Sequence, residues 1–571
     1  MSYLSQVWKL LITYLGGEGL EEMPTKTSKE SKAVFSQEKN IKPEKEILEF
    51  SENNLHDIVG EQLPKSLESW TKPGSGLGFA LSDRQLHEDI YNKLGNGALT
   101  SEIVEQVINS LIFSDEFRPI ELFQRLEDFY RRWCQGEFID AAPDNNLPQK
   151  KMLQLRSQNA LGKLREIDIH TGLNVMILLL ELHRYAQNHN DLHQKINFYP
   201  STQPGKEKFF TSQLLRIINY SDAIEIGNFS NVVGEFLKGG NFSGAYLSDA
   251  NLTGVNFSHA NLKGANLGDA NLTGVNLSNA NLKGANLGDA NLSGANLSNA
   301  NLSGVDLSSA NLSGANLSNA NLIRAELSSA DLSSTNLSNA NLSRTNLSGT
   351  NFRDAELNHA NMSDAILFGA NLSDADLNSV NLNHADLCRA DLSGTNLSDA
   401  KLNGTNLSDT ILFGTNLNNA VLIAADLSYA KLNGAKLKNA NLSGAMFLGA
   451  DLSDTDLTGV TLNQADLSGV ILNDADLSNA DLSDAVLFGT DFSGANLSSA
   501  NLSGSNLSGA TLSGANLSGS NLSYAILGNI DFSDANLAQL TWNNNQQWQS
   551  VRGLEKAVNV PEELKQQLGL S

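Results

Sequence analysis

Three histidines are the first residues to test for chemistry. His189 and His193 stand four apart, a spacing that puts two side chains on one helix face as metal ligands need, and His183 lies nearby. No cysteine or further ligand stands at a matching distance, and H-E-x-x-H is absent. These residues read as ordinary surface histidines. There is no G-x-x-x-x-G-K-[ST] loop to cradle phosphate and no G-x-S-x-G turn to raise a nucleophile. Carboxylates are the other candidates. Asp354, Glu356, Asp374 and Asp376 form one set, and Asp454, Asp456, Asp474 and Asp476 a second. If the chain stacks residues twenty apart, each set brings four carboxylates within about 5 Å along the stack. Like charges so close repel, and a divalent cation or a basic partner would relieve them. Plain replacement of Asn by Asp at exposed, salt-screened positions is the reading we favour. No metal, cofactor or catalytic group is therefore expected.

The elements that must position these residues are written in the spacing of the apolar ones. From Phe242 to Trp542 every fifth residue is Leu, Phe, Met or, at the last position, Trp, giving 61 consecutive positions without a break. Two residues before each stands a small one, mostly Ala, enlarged only at Ile530 and Leu540. On an α-helix five residues turn through about 500°, so these positions would never form one stripe. On an uninterrupted strand an odd period flips the side chain to the opposite face at every repeat. The chain must therefore bend once per repeat, which keeps each large residue pointing inward. Residues 251–270 and 271–290 differ only at Phe257/Leu277 and His259/Asn279. A duplicated unit of four pentapeptides predicts four sides per coil.

The A-(D/N)-L-x-x pattern resembles the pentapeptide-repeat proteins, and the resemblance covers more than half of the chain. It implies a right-handed quadrilateral parallel β-helix. With about 4.8 Å between coils, roughly 15 coils make a rod about 70 Å long. The open ends of such a rod need caps. Trp542 and Trp548 end the pattern, and Val560-Pro561-Glu562-Glu563-Leu564 predicts a capping helix. At the other end Val232 and Leu237 keep the register, which places a first irregular coil near residue 230.

Upstream, residues 1–16 predict an amphipathic helix with Leu4, Val7, Trp8, Leu11 and Leu15 on one face. Lys9 is its one cation, so packing against protein is favoured over anionic lipid. Residues 17–75 read as a flexible linker rich in Glu, Lys and Ser, and 76–225 as an α-helical domain. The rod is expected over 226–545 and the cap over 546–571. The helical region resembles those joined to the repeats in cyanobacterial members of the family. Cys134 and Cys388 imply no disulfide framework. Met1–Leu15 lacks a basic leader and a clear cleavage site, and Val175–Leu180 is too short to span a bilayer. A soluble, cytoplasmic protein is the expectation.

Charge narrows the partners. The net charge is −24, which argues against direct binding of nucleic acid. Residues 242–542 hold 27 acids against 10 Lys plus Arg, and Lys438 and Arg552 bracket a stretch with no Lys, Arg or His. Asp451–Asp491 carries nine acids, a local density that rivals the one charge per roughly 1.7 Å of duplex DNA. Some pentapeptide-repeat proteins are known as DNA mimics that bind DNA gyrase, so a DNA-mimic regulator is the alternative reading.

The position before the repeat Leu, usually Asn or Asp, is apolar at Tyr246, Ile366, Ile411, Val421, Met446, Ile471, Val486 and Ile526. Folded modulo twenty, five of the eight (Tyr246, Ile366, Met446, Val486 and Ile526) share one column, with Phe368, Leu448 and Phe488 beside it. An exposed apolar stripe marks a contact surface. The expected function is a non-enzymatic scaffold whose stripe binds a protein partner, a second copy or the chain's own helical domain. An enzyme seated in the helical domain is the weakest alternative.

Overall fold

Asn296–Ala300 show how one repeat satisfies its own backbone. In the computed structural model, which describes residues 61–569 apart from 77, 159–162, 202–212, 544–545 and 549, all five of these N–H groups are paired. Asn296 donates to Val275 O in the preceding coil, while Leu297 and Asn299 donate to Asn316 O and Ser318 O in the following one. Ala300 closes the bend on Leu297 O at 3.0 Å. The remaining N–H, that of Ser298, donates to the Asn296 side-chain Oδ1 at 3.1 Å. Asn and Asp exchange freely at the first position because both offer that acceptor. The fourth residue sits in the left-handed region, with φ of 58° at Asn319 and 64° at Gly314, which favours Gly, Asn and Asp there.

This pattern propagates as parallel bridges between residues 20 apart, from Asn241↔Asn261 to Asn521↔Thr541. Each coil therefore holds four repeats, and the fold is of the β-helix type. Leu and Ala fill the interior and are almost wholly buried along its whole length. Thr replaces Ala without leaving a polar group stranded. Thr395 and Thr415, for example, donate to Leu372 O and Leu392 O at 3.1 and 2.8 Å.

Both ends are covered. The expected irregular coil near residue 230 is instead helical. Helix Asn228–Val233 runs into a 3-10 turn, Gly234–Leu237, which lies on the first coil. Asn256 N donates to Gly234 O and Gly239 N to Ser258 O, so this cap supplies partners to an otherwise open edge. At the far end Arg552 bridges Asp531, Val558 bridges Asn536, and Trp548 is buried near Phe532. A last helix, Glu562–Leu568, follows Pro561, has both acids in its first turn and buries Leu564. This is the predicted cap.

The helical region begins before the expected boundary at residue 76. Residues 61–70 (α1) are helical and bury Leu63, Leu67 and Trp70, whose spacing makes one apolar face. That corrects the end of the linker reading; residues 1–60, including the predicted amphipathic helix, lie outside the described residues. Then come α2 (Asp83–Leu94), α3 (Ser101–Ile112), α4 (Pro119–Cys134), α5 (Leu147–Ser157), α6 (Leu164–Gln187) and α7 (Gln213–Asp222). Ser82 and Gln85 form a capping box at α2, and Pro119 opens α4. Helix α6 is buried on every side from Thr171 to Leu180 and packs against α2, α4 and α5. Its Gly172 leaves room for the Trp133 ring, which lies where a Cβ would stand. Arg184 of α6 donates to Phe236 O and Lys238 O, joining the helices to the rod's first cap.

Candidate interaction surface

The bridges place the apolar stripe as modular numbering predicts. Tyr246, Ile366, Met446, Val486 and Ile526 all belong to one bridge column. Ile366, Phe368, Met446, Leu448, Val486, Phe488 and Ile526 are exposed, with Leu448 at 56% and Phe488 at 58%. Tyr246 differs: it is half-buried and packs against the core at the rod's first coil. Sequence reasoning missed Tyr429. It is 56% exposed, on the same side, and its ring lies over Gly449 of the next coil. Its number modulo twenty, one past that of Leu448 and Phe488, carried the signal. The three remaining apolar positions, Ile411, Val421 and Ile471, fall in other columns.

These substitutions carry a local cost. Ordinary repeats close the N–H two residues on with an Asn or Asp oxygen, as Asp466 does for Ser468 at 3.0 Å. Ile366, Met446, Val486 and Ile526 have no acceptor, so the N–H groups of Phe368, Leu448, Phe488 and Gly528 lose this partner. A typical hydrogen bond contributes about 1 kcal/mol net.

Glu356 and Asp376, and Asp456 and Asp476, are stacked in adjacent coils as the numbering predicts, and most of these carboxylates turn to local partners. Asp376 Oδ1 accepts from Asn378 N at 3.1 Å and Asn396 Nδ2 at 2.8 Å, and Asp476 Oδ1 accepts from Ser478 N and Asn496 Nδ2, both at 2.9 Å. Asp456 Oδ1 accepts from Thr458 N. Asp374 and Asp474 lean over Gly394 and Gly494 of the following coils, and Asp354 pairs with Arg353 at 3.5 Å. Asp454 and Glu356 keep their places in the coil, with Asp454 N donating to Asn473 O and Glu356 bridging Asp376. Among the described residues no group of three or more His, Cys, Asp or Glu is arranged to hold a metal ion. The histidines also go separate ways. His183 is buried, contrary to the surface reading, and its Nδ1 lies 3.4 Å from Phe198 N. His189 is exposed, with Nδ1 2.8 Å from Tyr185 O, and His193 is exposed.

The helical region holds a cleft of about 530 Å³ between the end of α4, the start of α6 and α7. Its buried acid is Asp168, whose Oδ1 accepts from Tyr91 Oη at 2.6 Å and whose Oδ2 accepts from Tyr220 Oη at 3.4 Å. The Trp133 indole lies beside this carboxylate but makes no hydrogen bond of normal geometry. Burial outweighs the hydroxyl donors and pushes Asp168 up to about 6. Burial likewise pushes the Cys134 thiol up to about 12, which removes it as a nucleophile at neutral pH.

The family model described as pentapeptide repeats, 8 copies, matches in overlapping segments from residue 240 to residue 539. The chain belongs to the pentapeptide-repeat family. Among solved structures it is similar to HetL, a pentapeptide-repeat protein involved in heterocyst differentiation regulation from the cyanobacterium Nostoc. That match has 35% identity, covers 40% of this chain and 89% of that one, and has a TM-score of 0.26. It is similar to QnrB1, a plasmid-mediated fluoroquinolone resistance protein, at 22% identity over 31% of this chain and 92% of that one, with a TM-score of 0.21. It is also similar to Rfr23 of the cyanobacterium Cyanothece, at 31% identity over 19% and 63% of the two chains, with a TM-score of 0.07. Comparison with curated proteins gives no match. Among the described residues no helix of this pentapeptide-repeat protein is long and apolar enough to cross a membrane.

Proposed function

We propose that this chain is a non-enzymatic interaction protein whose rod presents the column from Ile366 to Ile526 to a protein partner, with the helical domain as a second contact region. We read the rod as square and right-handed. Four bridges per twenty residues support the first, and the strong right-handed preference of parallel crossovers supports the second. One observation carries the function: Ile366, Met446, Val486 and Ile526 stand exposed in one column where the repeat otherwise places the Asn or Asp that closes its turn, whereas Phe413, Ile423, Ile471 and Tyr524 are exposed singly on other sides. Because the family's regular residue would be better for folding, a contact is the reading these positions support.

A photo-reactive residue at Leu448 of the full-length protein tests this in native extract. A discrete adduct is expected, and Met446→Asn with Val486→Asn and Phe488→Ser should abolish it. If a probe at Thr458, on another side, gives the same adduct, the reading is wrong. A DNA-mimic role is the second reading, favoured by the nine acids of Asp451–Asp491. Against it, these acids are distributed over all four bridge columns, and Asp466 is the one acid of that stretch in the Met446 column. It predicts steeply salt-dependent binding to DNA gyrase and altered supercoiling.

A further inference from the structure

From Asp426 to Val486 the column alternates by chemistry: Asp426, Met446, Asp466, Val486, each bridged to the next. Leu448 and Phe488 stand exposed beside the two apolar members, whereas Ser428 and Ser468 stand beside the acids. Gly469 and Gly489 follow along the same edge and leave it without side chains, while the Tyr429 ring covers Gly449 at its start. Resting on the reading above, we infer that this stretch takes an amphipathic basic α-helix of a partner protein lying along the rod axis.

Pitch decides for a helix. Coils rise about 4.8 Å, so Met446 and Val486 are about 10 Å apart along the axis. A helix rises about 10.5 Å from i to i+7 and about 5.4 Å per turn. Apolar residues at i and i+7 then meet Met446 and Val486, and a Lys or Arg one turn after i meets Asp466. A second cation one turn before i meets Asp426. The mismatch accumulates to about 2 Å over the three steps, within the reach of side chains. A strand fits worse, because its same-face residues repeat at about 6.8 Å and fall out of step at the first interval. Charge complementarity sets the sign of the partner. Asp466 Oδ1 is turned to Ser468, which anchors the carboxylate on this side. No Lys, Arg or His lies between Lys438 and Arg552 to compete for it. A second copy of the rod would bring acid against acid.

The test uses full-length protein and a labelled helical peptide of roughly four turns, with Leu at i and i+7 and Lys one turn before and after i. A scrambled peptide of equal composition is the control, and anisotropy is the readout. Met446→Asn, Leu448→Ser, Val486→Asn and Phe488→Ser together restore ordinary repeat residues, so the rod still folds. This variant should weaken binding of the ordered peptide by about tenfold or more, as expected for losing two apolar anchors. Asp426→Asn with Asp466→Asn should flatten its salt dependence. Asp456→Asn with Asp476→Asn removes two acids from another side and should leave binding unchanged. Equal binding of the scrambled peptide, or an equal loss in the Asp456/Asp476 variant, overturns the proposal. If the Leu448 adduct forms but the ordered peptide does not bind, the helical partner is wrong while the interaction surface stands. Loss of both removes the surface as well.

Discussion

Asp168 offers the sharpest quantitative test of the helical domain. It is 2% exposed, faces the cleft, and has its carboxyl pushed from 3.8 up to about 6 by burial. A raised acid binds its proton more tightly in the folded state. Its contribution to stability is therefore complete below pH 3.8 and is lost as pH rises through about 6. At about 1.4 kcal/mol per pH unit, the loss is about 3 kcal/mol. Asp168→Asn replaces the neutral acid with a neutral amide that still accepts from Tyr91. The variant should resemble the wild type near pH 4 and exceed it near pH 7 by up to about 3 kcal/mol. Urea unfolding followed by the helical circular-dichroism signal measures the difference at each pH. Comparing the two differences cancels every other titrating group. An identical difference at both pH values would show that the carboxyl titrates normally and that burial does not govern it.

Other expectations follow from the rod. Leu397→Ala removes a fully buried side chain from the interior and should cost about 2–5 kcal/mol in urea unfolding, because stacked coils limit collapse of the cavity. Thr395→Val should cost less than about 1.5 kcal/mol, since Leu372 O still accepts from Ala375 N, whereas Thr395→Asp should unfold neighbouring coils in exchange experiments. Met446→Asn with Val486→Asn should stabilise the rod by up to about 1 kcal/mol for each turn closed and so raise the thermal midpoint. A lowered midpoint would show that the lost turn bonds carry no cost. Deleting residues 271–290 removes one unit and should leave the bridge register and far-ultraviolet spectrum intact, whereas deleting residues 271–272 breaks the five-residue spacing and should unfold the adjoining coils.

The period of five, the four-repeat unit and the inward Leu and Ala were legible in the residues alone. A repeat leaves one geometry that buries every large side chain, and local rules then apply at every position. The same arithmetic placed the exposed column from Ile366 to Ile526. Tertiary structure decided what arithmetic does not carry. Residues 228–237 keep apolar spacing but end as helix, because the edge of the first coil needs hydrogen-bond partners rather than another coil. Tyr246 shares the stripe's column yet is half-buried, since burial depends on what lies beside the first coil. Asp168 looks like any helix acid in sequence; its pKa is raised by burial in the packed domain, against the opposing pull of hydroxyls from tyrosines 77 and 52 residues away. Repetition makes neighbours predictable from numbering; a helical core brings together residues whose separation follows no period, so its charges and cleft appear only once it is packed.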